Sequence, residues 1–147
     1  MRKASFELIE LDRLHGHEEV VASDLEHLVA SLRSSRIVRE PILVAGGTWV
    51  ILNGHHRVAA LRLLGAVRAP AWVVDYADPG IALDRWDDGP ALTKDDVIAR
   101  ARSGRPFPPK TTRHRVLLDL PERVTSLTEL GVPRDARFEP NPATGRA

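Results

Sequence analysis

The sequence contains no cysteine, which excludes disulfides, thiolate metal sites and every mechanism built on a cysteine nucleophile. It also lacks a charge imbalance: 21 Lys and Arg stand against 20 Asp and Glu, a formal net charge of +1. Such a chain exerts no overall pull on nucleic acid or anionic membrane, so any anion site must be local. No apolar run approaches the ~20 residues of a membrane span, and Met1 to Glu7 has no apolar segment of the secretion-signal kind. The expected setting is the cytoplasm. Internal repeats and extended low-complexity segments are absent as well. At 147 residues the expectation is one core and one site rather than two independent domains.

What is present reads as alternating short strands and helices, an α+β pattern. Phe6, Leu8, Ile9 and Leu11 suggest a first strand running into the polar turn Leu14 to Glu19. Ser23, with Glu26 three residues later, predicts a capped helix whose apolar face is Leu25, Leu28, Val29 and Leu32, ending near Ser34 and Ser35. Ile42 to Val44 and Trp49 to Leu52, separated by Gly46-Gly47, predict a hairpin. Asn53-Gly54 then leads into a helix with Ala59, Ala60, Leu63 and Leu64 on one face and Gly65 at its end. Ala71 to Val74 is a further strand. Turn signals at Asp78-Pro79-Gly80 and Asp87 to Pro90 flank Trp86. Thr93 caps a short helix carrying Val97, Ile98 and Ala101 and stopping at Gly104. A proline-rich connector, Pro106 to Pro109, ends in the basic, hydroxyl-rich Lys110-Thr111-Thr112-Arg113-His114, and Val116 to Leu118 reads as a last strand or a helix start. The expected division is a nucleotide-binding domain over 1–118 and an extension over 119–147, with a poorly ordered tail from about Glu139.

Three constellations can carry chemistry. A strand ending at Asn53-Gly54 and feeding directly into a helix gathers free backbone N–H groups and the positive end of the helix dipole, a good phosphate site. Gly54 permits close approach, and His55, His56 and Arg57 add donors and charge. Adjacent helical histidines point in different directions and no third ligand is near, so no metal is expected on protein ligands there. Glu18 is the candidate general base or magnesium-organising carboxylate, although spacing alone favours an ordinary surface glutamate. Lys110 to His114 offers donors for a carboxylate or phosphate, or is a solvated basic turn. Trp86 either covers part of the core or walls a small-molecule pocket.

The run Ile51-Leu52-Asn53-Gly54-His55-His56-Arg57-Val58-Ala59-Ala60-Leu61, followed by Leu64-Gly65, resembles the signature of the ParB/sulfiredoxin superfamily, over roughly the first three quarters of the chain. The branch it most resembles is that of the free L-serine kinases, which make O-phosphoserine. His17-Glu18 is similar to their catalytic-glutamate segment, and Ser103-Gly104 with Phe107 to His114 to their later substrate segment. The resemblance implies a small mixed sheet with packed helices and ATP or ADP with Mg2+ as cofactors. It implies Glu18, Asn53 and His56 as catalytic positions and Gly54, His55, His56 and Arg57 as the phosphate cradle. Trp86, Lys110, Thr111, Thr112, Arg113 and His114 would recognise serine or a close analogue. The sequence departs from the kinase pattern at Asn53, where those enzymes carry an Asp; a neutral amide cannot accept a proton or organise a metal as a carboxylate does. Sulfiredoxin chemistry is excluded, since its cysteine position is His55 here. The second reading is a ParB-like nucleotide-binding regulator or DNA-binding protein without kinase activity, for which Lys110 to Arg115 is the basic patch.

Overall fold

The structure, a computed structural model, describes residues 4–134. The tail expected from Glu139 therefore lies outside the described residues. The chain order is β1 (Ser5–Glu10), a 3-10 turn (Leu11–Arg13), α1 (Ala22–Ser35), β2 (Ile37–Val38), β3 (Ile42–Ala45), β4 (Ile51–Asn53) and α2 (His55–Leu63). It continues with β5 (Arg68–Val74), β6 (Ile81–Arg85), α3 (Lys94–Ser103), β7 (Thr112–Val116) and β8 (Thr125–Ser126). This is the α+β architecture that the sequence predicts.

The main sheet has the order β1-β5-β3-β4 and is mixed: β5 pairs antiparallel with β1 and parallel with β3, and β3 pairs antiparallel with β4. Strand β3 shows why its sequence is a continuous apolar run. All four of its residues are buried, because the sheet is covered on both faces. Ile42 and Val44 join the core beneath α1 and α2, where Val58, Leu61 and Leu32 pack; Leu43 and Ala45 join a second core with Tyr76, Ile81 and Val97. The β3–β4 register shifts between Leu43 and Val44, a bulge that bends the ribbon leading to Asn53.

Several local expectations change. Ser23 does not cap α1: Val21 occupies that position without a side-chain cap, and its N–H donates to Nε2 of His56 at 2.9 Å. The helix starts two residues earlier than the Ser23 cap implies, and its N-cap N–H is satisfied by a tertiary acceptor. The segment before Trp86 is strand β6, paired antiparallel with β7, so Thr112 to Val116 is ribbon rather than the end of a connector. Period-two alternation is weak there because both strands are only partly buried. Thr93 caps α3 as its sequence predicts, in a reciprocal capping box with Asp96. In the stretch following residue 118, β8 pairs with β2, and Leu127, Leu130 and Val132 are buried in the core beneath α1 and α2.

Candidate active site between the second helix and the sixth and seventh strands

Strand β4 delivers Asn53 to the surface, and Gly54 turns the chain into α2 with φ of +115°. A Cβ at Gly54 would lie 2.5 Å from Cγ2 of Ile42 and 2.8 Å from its Cβ. Only glycine fits, both for its backbone angle and for its contact with β3. The first-turn N–H groups of α2 have no partner within the helix, and they border a cavity of about 770 Å3. Its α2 wall consists of Asn53, Gly54, His55, His56 and Arg57, and its opposite wall of Trp86, Lys110, Thr112, Arg113 and His114. Glu18 and Asp24 supply carboxylates, and Leu28 and Leu52 supply apolar surface.

Glu18 is held by the far wall. One carboxylate oxygen, Oε1, accepts from the Thr112 N–H at 2.9 Å and the Thr112 hydroxyl at 2.8 Å; Oε2 accepts from the Lys110 N–H at 3.0 Å. Each carboxylate oxygen offers two lone-pair sites, so Oε2 retains one for another donor. Lys110 takes a left-handed conformation, φ 59°, uncommon for a side-chain-bearing residue, and the amide so turned is the one that meets Glu18. Its Nζ lies 3.8 Å from Asp24. Arg113 stacks over Trp86, 4.7 Å from the ring centroid, and lies 3.8 Å from the Asp84 carboxylate. Arg115 is nearer that same acid at 3.3 Å, leaving the Arg113 guanidinium lightly held. Trp86 itself is 62% exposed.

Arg57 pairs with Glu40 at 3.3 Å, and its buried Nε has no hydrogen-bond partner among the described residues. Burial works against the Arg57 charge and Glu40 supports it. The histidines face inward. His55 Nε2 accepts the His17 N–H at 3.1 Å, and the two rings meet edge to face at 4.6 Å. His114 is hydrogen-bonded to the Tyr76 hydroxyl at 2.7 Å. Burial, reinforced by neighbouring histidines, lowers His55 to about 3; burial, with His17 adding to it, lowers His114 to about 4. His17, fully buried, is likewise lowered, chiefly by desolvation. The lowered values favour neutral imidazoles at physiological pH; His55 serves as an acceptor, and His17 packs with both ring nitrogens lacking a hydrogen-bond partner among the described residues.

Of the residues singled out in the sequence, the fold gathers Glu18, Asn53, Gly54, His55, His56, Arg57, Trp86, Lys110, Thr112, Arg113 and His114 around one cavity. Thr111 is the exception: it is buried, and its hydroxyl donates to the Pro108 carbonyl at 2.7 Å. Sequence reasoning missed Asp24, Glu40 and Tyr76. Asp24 carried a signal as an acid in the first turn of α1; Glu40 and Tyr76 are recruited by tertiary packing and carried none.

Comparisons with known proteins show what the chain is similar to. No family model matches the chain. An ADP-dependent L-serine kinase of Thermococcus kodakarensis is 36% identical over 89 residues, 58% of this chain and 37% of the kinase. An ATP-dependent L-serine kinase of Staphylothermus marinus is 37% identical over 83 residues, 54% of this chain and 33% of that protein. A ParB-like protein of Sulfolobus acidocaldarius is 31% identical over 87 residues, 59% of this chain and 43% of the relative. A free serine kinase solved in complex with AMP superposes with a TM-score of 0.79 at 22% identity, over 87% of this chain and 94% of that one. The matched region thus spans only about a third of the length of the curated kinases. The fold is the α+β fold of the solved free serine kinase, a small mixed sheet with packed helices. Within that class, the sequence likeness is to the L-serine kinases, as the Asn53 to Gly65 run suggests.

Proposed function

We propose that this protein transfers a phosphoryl group from ADP or ATP to the hydroxyl of free L-serine or a close analogue, giving O-phosphoserine. The observation that carries this reading is the single cavity that sets a helix N-terminus with Arg57 against a carboxylate, Glu18, with Lys110 and Arg113 beside it. Nucleotide phosphates lie at the amides of Gly54 to Arg57. The carboxylate of the amino acid faces Arg113 and Lys110, and Trp86 shields it from water. The acceptor hydroxyl lies near Oε2 of Glu18, which takes its proton as the oxygen attacks the terminal phosphorus. The bond from phosphorus to the bridging oxygen breaks, and a nucleotide one phosphate shorter leaves. Positioning and charge neutralisation supply most of the acceleration of such a transfer. His56 accepts the Val21 N–H on Nε2, which leaves Nδ1 as its donor, and the Asn53 amide offers a further one.

Among the described residues no group of three or more His, Cys, Asp or Glu is arranged to hold a metal. Mg2+ nevertheless fits, because it commonly binds through one or two carboxylates together with substrate phosphates and water. Asp24, which lines the same cavity, is the carboxylate that would hold it, and there it would neutralise phosphate charge. No helix among the described residues is long and apolar enough to cross a membrane, and a cytoplasmic setting, where ATP and serine meet, is part of the proposal.

Asn53 and the likeness to a ParB-like protein favour a second reading, a nucleotide-binding regulator that transfers nothing. Phosphorus NMR of protein incubated with Mg2+, L-serine and either ATP or ADP separates the two, with Asn53→Asp run in parallel. O-phosphoserine from the native chain is the expected outcome. Product from Asn53→Asp alone, or from neither with nucleotide still bound, favours the regulator.

A further inference from the structure

The two adjacent histidines of α2 stand at the phosphate-type junction, yet both rings spend their Nε2 lone pair on the loop that carries Glu18. His55 accepts from the His17 N–H at 3.1 Å, and His56 from the Val21 N–H at 2.9 Å. The same loop is tied on its other side to the segment preceding β7: the Phe107 N–H donates to the His17 carbonyl at 2.7 Å, and the Glu19 N–H to the Phe107 carbonyl at 2.9 Å. His17 is fully buried between the two attachments, edge-on to His55 at 4.6 Å and to Phe107 at 6.2 Å. The His55 ring fits closely, since a Cβ on Gly16 would lie 3.2 Å from its Cδ2. Glu18 is thus fixed by one neighbour residue whose N–H is satisfied from α2 and whose C=O is satisfied from the β7 side.

We infer that His55 is a positioning residue for Glu18: its ring acts through the His17 amide to hold the Glu18 loop, and makes no contact with the nucleotide. The inference rests on the proposed role of Glu18 and adds a residue that couples the two cavity walls. A buried amide deprived of its acceptor incurs its desolvation cost, and the loop relieves that cost by moving. The Glu18 carboxylate moves with it, away from the Lys110 and Thr112 amides that aim it. His55 must therefore present an unprotonated Nε2, with its proton on Nδ1.

The test compares His55→Phe, which keeps an aromatic ring but has no acceptor, with His55→Gln, whose amide oxygen reaches a similar position. Backbone amide exchange at His17, followed by NMR, should accelerate about tenfold in His55→Phe, the factor that a lost hydrogen bond implies, and stay near the native rate in His55→Gln. The kcat for phosphoserine formation should fall by about tenfold or more in His55→Phe and recover in His55→Gln, with nucleotide Kd within about twofold throughout. Unchanged His17 exchange in His55→Phe overturns the inference, as does weakened nucleotide affinity with kcat at saturation unchanged, which makes His55 a nucleotide ligand. If the native chain forms no product, the proposed activity fails while His17 exchange still decides the role of His55. If His55→Phe does not fold, Gly16→Ala presses the ring instead; faster His17 exchange is expected, and an unaltered rate overturns the inference.

Discussion

The two walls of the cavity are built by opposite means. The α2 wall is backbone set by the core: Val58, Ala60 and Leu61 are buried beneath it, and Gly54 lies so close to Ile42 that no side chain fits. The wall formed by β6, β7 and their flanks is a two-stranded ribbon that presents side chains, with Trp86 largely exposed and Arg113 held by stacking and a loose ion pair. Under the proposed function, such a site would fix what every phosphate shares and leave the acceptor side adjustable. Change on the first wall would then disturb the fold, whereas change on the second would alter which acceptor is held.

The sharpest way to break the comparison is Gly54→Ala. Left-handed strain of about 1–2 kcal/mol adds to overpacking against Ile42 of about 1–3 kcal/mol, so urea denaturation should show a loss of roughly 2–5 kcal/mol. A loss under about 0.5 kcal/mol, the range of ordinary surface changes, would mean that the α2 wall is not core-built.

Acid sharpens the comparison next. His55 at about 3 and His114 at about 4 lie below the ordinary 6.5 of a histidine. The unfolded chain therefore gains protons first as pH falls below about 6.5, and the folded chain follows only near those lower values. Folding stability should decline over that window, by at most about 1.4 kcal/mol per pH unit for each histidine, and level off below it. His17 and His56 add to the unfavourable charging of His55, and Glu18 opposes it at His17. Denaturation midpoints measured between pH 7 and pH 4 test this; midpoints flat across the window would contradict burial of neutral imidazoles.

The smallest effect on stability belongs to Trp86→Ala, expected within about 0.5 kcal/mol because the ring is mostly exposed. Its signature should be a raised KM for the amino-acid acceptor with unchanged nucleotide Kd. If nucleotide Kd weakened instead, the assignment of walls would be reversed.

How much of this could be read from the chain follows the same division. Asn53 to Arg57 was legible because strand, glycine and helix are consecutive, so the phosphate-type junction is a local feature. The β3 run and the Thr93 cap were legible for the same reason. The partners of Glu18 lie 92 and 94 residues away, and no spacing rule joins such positions; only the family resemblance connected them. The histidine rings show the same limit. His55 and His56 read as phosphate donors in a first helical turn, but tertiary packing offers their rings the amides of His17 and Val21, and burial works against a charge on His55. Strand β6 escaped notice because a half-exposed ribbon carries no clear alternation.

The central claim is that Glu18 takes the proton of the acceptor hydroxyl in this cavity. The most direct measurement is O-phosphoserine formation by Glu18→Gln, with nucleotide affinity measured calorimetrically on the same samples. The account predicts that turnover falls by about a hundredfold or more, the range for loss of a general base, while nucleotide Kd stays within about twofold. Native turnover in Glu18→Gln would contradict it and leave Glu18 as the anchor of the Lys110 turn alone.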